Sequence, residues 1–120
     1  MVPRPDLAQQ SWRDVSRTYR QFAAVDGTDY SALHDVIEHI ASRQLSARLH
    51  ASTSHDLLTI ATAHRADAGA DVIRLSVQTA EMRLEYFDGS GTLASEESVP
   101  IAESIPSLDA LLDQLIASSN

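Results

Sequence analysis

"VIRLSVQTAEMRLEYFDGSG", residues 72–91, is the stretch whose reading decides the fold. Ile73, Leu75 and Val77 alternate with Arg74, Ser76 and Gln78, and then Met82, Leu84 and Tyr86 alternate with Arg83, Glu85 and Phe87. A period of two marks a strand with one face buried. The break between the two runs is too short for a crossover, so the strands pair antiparallel. "DGSG", residues 88–91, then reads as a hairpin turn. A weaker strand is expected after it, around residues 92–95 or 98–101.

Two more strands are expected upstream. "LSARLHA", residues 45–51, alternates Leu45, Ala47, Leu49 and Ala51 with Ser46, Arg48 and His50. "DLLTIATAH", residues 56–64, is apolar on both faces, which suits a central strand. "RADAGA" breaks it before residue 72.

Helical periods flank the strands. Ala8, Trp12, Val15, Tyr19 and Phe22 form one apolar stripe on a helix over residues 7–24. Gly27 is the expected stop, and Thr28 or Asp29 the cap of the next helix. That second helix covers residues 30–44, with Leu33, Val36, Ile37, Ile40 and Ala41 buried. A third opens at Pro106 and Ser107 and buries Leu108, Leu111, Leu112, Leu115 and Ile116. Asp109 then falls in its first turn, where the helix dipole favours an acid. The expected fold is a single α+β domain over residues 1–120. It is a two-layer sandwich with two N-terminal helices, an antiparallel meander of four to five strands, and an amphipathic C-terminal helix packed on the sheet.

Composition narrows the chemistry. The 120 residues contain no cysteine, which excludes thiol catalysis, disulfide staples and cysteine-ligated metals. All nine basic residues are arginine, so lysine Schiff bases and the lysine of a phosphate-binding loop are excluded too. The N-terminal residues do not read as a signal peptide, and no apolar run reaches bilayer length, so a soluble cytoplasmic protein is expected.

Net charge is −8 and unevenly placed: from residue 85 to residue 120 there are seven acids and no base. Such a field repels nucleic acid and anionic lipid and attracts basic partners. It also serves solubility alone.

"HDVIEH", residues 34–39, places two histidines five apart, which on a helix is an angular separation of about 140°. Metal-binding helices use a spacing of four. His34 is therefore expected at the edge of the buried face and His39 in solvent, with Glu38 and Asp35 as ordinary helix-surface partners. In "HASTSH", residues 50–55, a four-residue loop would set His50 opposite His55, but further ligands are lacking, and a polar hairpin end is the plainer reading. No metal or cofactor is expected. Arg13, Arg17 and Arg20 line one side of the first helix beside Trp12 and Tyr19, but Asp14 interrupts them and a solvated helix side is the better reading.

Three functional classes remain. The first is a non-catalytic protein-binding module, of inhibitor, immunity-protein or chaperone type, that engages a basic partner. Its contacts would be Glu85, Asp88, Glu96, Glu97, Glu103, Asp109 and Asp113, together with an open sheet face carrying Arg48, Arg74, Arg83 and Phe87. The second is a small-ligand or cofactor-free enzyme domain with His64, Tyr86 and Asp56 in a pocket. The third is a homo-oligomerising module, with a homodimer the simplest form. The first fits the charge pattern best.

Overall fold

A computed structural model describes residues 9–18, 31–45, 49–54, 57–61, 71–78 and 81–118. Helix α1 occupies residues 9–18 and α2 Ser31–Ser42. Five strands follow: β1 His50–Ser54, β2 Leu57–Ala61, β3 Val72–Gln78, β4 Glu81–Phe87 and β5 Leu93–Pro100. A 3₁₀ turn, Ile101–Glu103, leads into α3, Ser104–Ser118. The strands lie in the sheet in chain order, each pair antiparallel.

The α+β meander read from the alternating runs is the observed architecture. One sheet face, carrying Leu58, Ile60, Ile73, Leu75, Met82, Leu84 and Tyr86, is buried. The helices supply the other half of that core through Trp12, Val15, Val36, Ile40, Leu108 and Leu112. Helix α2 packs on β3, and α3 reaches β3, β4 and β5. Helix α1 is tied to β1 and the segment before it: the Trp12 indole N–H donates to the Leu49 carbonyl at 2.8 Å, and the Ala51 amide donates to Ser11 Oγ at 3.0 Å.

Several boundaries differ from expectation, each for a local reason. Helix α2 ends at Ser42 rather than Gln44, because Gln44 takes a left-handed backbone (φ 60°). Leu45 N–H then reaches back to the Ile40 carbonyl and Gln44 N–H to Ala41, which is a Schellman turn. The apolar pair that such a turn favours is Ile40 with Leu45, both buried. Leu45 therefore closes a helix rather than opening a strand, and the first strand begins at His50.

Strand β1 includes residues 51–54, so those residues form no hairpin loop, and His50 lies opposite Ala61 instead of His55. The weaker strand expected after "DGSG", at residues 92–95 or 98–101, is one strand of eight residues that takes in most of both positions. Helix α3 starts two residues before Pro106, which sits in its first turn, where a missing N–H breaks no helical bond. Asp109 consequently lies in the second turn, not the first. Residues 19–24, which include Tyr19, Arg20 and Phe22, lie outside the described residues. So do Gly27, Thr28, Asp29, Arg48, His55, Asp56 and His64.

Candidate functional site

The sheet face away from the helices carries the polar half of the alternation. The register sets Thr59, Arg74, Glu85 and Glu96 in one row across four strands, with Ser76, Arg83 and Ser98 in the next. Arg83 ties this face to the edge, 2.6 Å from Glu96 and 3.8 Å from Glu85. The Arg74 guanidinium stacks 4.7 Å from the Phe87 ring centroid. Phe87 is thereby half covered and is not a bare aromatic anchor. The expected positions of Arg74, Arg83, Glu85 and Phe87 on one open face are observed, but the four are largely engaged with one another.

At the sheet edge the situation changes. Among the described strands β5 pairs only with β4, and residues 93–98 are exposed. Glu97, opposite Leu84, lies on the helix side of the sheet, yet the helix layer leaves it exposed, and it accepts a 3.0 Å hydrogen bond from Ser107 Oγ. Glu96 points to the open side, and Glu103 is exposed in the 3₁₀ turn. Leu93, at 42 %, is the one large apolar side chain left exposed among the described residues.

The other acids of the C-terminal third lie elsewhere. The Asp88 carboxylate caps its own turn, accepting from Ser90 N, Ser90 Oγ and Thr92 N at 2.9, 2.6 and 3.1 Å. These bonds, led by the one from the Ser90 hydroxyl, hold its pKa below the ordinary value. Asp109 and Asp113 face α2. Asp109 meets His39 Nε2 and Arg43, both at 2.8 Å, and Asp113 meets Arg43 at 3.1 Å. Partial burial works against the charge on Asp109, but the hydrogen bonds from His39 and Arg43, with their positive charge, outweigh it and keep the carboxyl below its usual range. Bonds from Asp113 and Asp109 raise Arg43 further.

His39 therefore bridges two helices rather than pointing into solvent. His34 keeps the expected neighbour, Glu38, at 3.8 Å. The His39–Asp109 pair joins residues 70 apart, and no local pattern signals it. The seven acids thus do not form one patch: Glu96, Glu97 and Glu103 gather at the β5 edge, Glu85 lies one strand inward, Asp88 is in a turn, and Asp109 and Asp113 are in the helix layer.

Tyr86, a candidate pocket group, is buried in the core and its hydroxyl donates to Asp71 at 2.6 Å. Helix α3 packs on the buried sheet face, against β3, β4 and β5. Among the described residues, no cluster of three or more His, Asp or Glu is placed to hold a metal, and no helix is long and apolar enough to cross a membrane. Comparison of the chain with protein-family models, with curated proteins and with solved structures finds no match.

Proposed function

We propose that this protein works by binding another protein, of basic character, along β5, in the manner of an inhibitor, immunity protein or chaperone rather than an enzyme. The observation that carries the reading is the edge itself: eight residues of strand with one backbone side that pairs with no other described strand, exposed from residue 93 to residue 98 on both faces. An extended segment of a partner adds to such an edge through main-chain hydrogen bonds, and side chains alternating above and below it set specificity.

Charge selects the partner. Glu96, Glu97, Glu103 and Glu81 are exposed around β5, and Arg83 is the cation among them. Lysines or arginines at alternate positions of an added strand would meet these carboxylates. A second copy of the chain is disfavoured at the same place, because pairing β5 with β5 brings like charges together. A basic heterologous partner is thus preferred over a homodimer.

The test is native mass spectrometry of the tagged protein recovered from its own cells at low salt, followed by hydrogen exchange of the complex. A stoichiometric second protein that dissociates at high salt and protects the β5 amides is the expected result. Glu97→Lys with Glu103→Lys should weaken that complex while leaving the fold intact. A complex indifferent to salt, or one that leaves β5 unprotected, would discard this reading.

A further inference from the structure

The outer edge of β5 presents two unlike faces. On the open side, Ala61, Val72, Phe87 and Leu93 pair in turn across four strands, so an apolar row runs outward through the sheet and ends at Leu93. Leu93 is 42 % exposed and has no strand beyond it among the described residues. The carboxylate on this side, Glu96, is already held by Arg83 at 2.6 Å. On the helix side stands Glu97, exposed, bound by the Ser107 hydroxyl and in no ion pair among the described residues. The opposite edge of the sheet offers neither feature: β1 carries no acid, and its Ala51 amide already donates to Ser11 Oγ.

Leu93 and Glu97 are four apart, which in a regular strand would set them on one face. A bulge separates them. Tyr86 pairs with Ser95 and Phe87 with Leu93, which leaves Ala94 as the extra residue. On β4 the residues opposite Glu97 and Leu93 are therefore Leu84 and Phe87, three apart and on opposite faces. A strand added on the outer side of β5 meets the same bulge and the same spacing.

We propose that the partner segment that adds to β5 is an antiparallel strand with the pattern basic-x-x-apolar: an arginine or lysine opposite Glu97 and a large apolar residue opposite Leu93. The pattern rests on β5 being the binding edge and states what that edge selects. Charge complementarity gives the first position, since Glu97 is the β5 carboxylate that no cation holds among the described residues. The second position extends the apolar row, and cross-strand aliphatic and aromatic neighbours stabilise a sheet. Antiparallel pairing follows every described pair of this sheet and fixes the order, with the basic residue first. A segment with both side chains on one face, or in the reverse order, does not satisfy both positions.

The test is an NMR titration of the isotope-labelled full chain with capped peptides of about ten residues, built from threonine and valine. One peptide places arginine three residues before leucine. A second sets the two four apart, a third reverses their order, and a fourth has glutamine for arginine. The first is expected to shift the amides of residues 93–98 saturably. It should bind about threefold more tightly than each of the others, the scale of one cross-strand pair. Glu97→Gln should lower affinity for the first peptide about threefold and leave that for the glutamine peptide unchanged. Leu93→Ser should weaken the first peptide to a similar degree. Both side chains are exposed, so both variants should fold, which their amide spectra check.

Equal affinity for the four peptides, with the β5 amides shifting, overturns the pattern and leaves the edge-strand reading standing. Tighter binding of the reversed or four-apart peptide overturns it as well. If no peptide shifts the β5 amides, the pattern falls together with the edge it rests on.

Discussion

Asp109 shows how one carboxylate can join two helices that the chain places far apart. It takes a hydrogen bond from Arg43, in the turn that ends α2, and meets His39 on α2 itself, while its own helix contributes Leu108 and Leu112 to the core. Asp109→Asn should lower stability at pH 7 by about 1 kcal/mol, the scale of partly exposed pairs, or about 4 °C in melting temperature. The sign of the pH effect follows from the depressed pKa. The folded state gives up this proton more readily than the unfolded chain does, so the stabilisation is complete above the ordinary value of 3.8 and fades as pH falls through the lower folded value. The difference between wild type and variant in thermal melts should therefore persist from pH 7 to about pH 5 and shrink below pH 4. None of this was legible in the residues themselves. Helical spacing correctly kept His34 and His39 off a common face, but partnership across 70 residues leaves no local mark. Asp88 is the opposite case. "DGSG" announced the turn, and Asp88→Ala should speed hydrogen exchange at the Ser90 and Thr92 amides, which lose their acceptor.

Elements were legible where one face is buried and illegible where that condition fails. Strands β3 and β4 alternate because the core takes every second residue. Strand β5 lies at the edge, where the helix layer does not cover Ser95 or Glu97, so burial imposes no period and the strand was legible only as a short piece at one of two positions. The end of α2 was misread for a related reason: its left-handed turn residue is Gln44 rather than glycine, so the usual stop signal is missing. A non-glycine side chain in that conformation is costly, and Gln44→Gly should stabilise the protein by about 0.5–1 kcal/mol in chemical denaturation. Gly91 supplies the converse. Its φ of 84° suits glycine, and an added Cβ would meet nothing within 4 Å, so Gly91→Ala should cost about 1 kcal/mol through backbone conformation alone.

At the scale of the molecule, the net charge of −8 separates into regions with different tasks. Acids gather at the β5 edge, acids and cations neutralise one another between α2 and α3, and Arg13 and Arg17 on α1 make no ion pair among the described residues. Composition foretold the acidic surface but not this division, since it depends on which residues the register and the helix packing bring together. Binding at the β5 edge should weaken steeply between about 50 and 200 mM salt, because screening length falls over that range, and isothermal titration with the recovered partner would measure it. The strand order carries a further consequence, for the time course of synthesis. Each strand's neighbour in the sheet is its neighbour in the chain, so pairing can advance from β1 to β5 in the order in which a ribosome delivers them. The apolar sheet face then waits for α3, the last described element, to cover it. Until Arg43 meets Asp109 and Asp113, a nascent chain presents Leu75, Met82 and Leu84 to chaperones and proteases, and variants that loosen α3 should show their defect first in cellular yield.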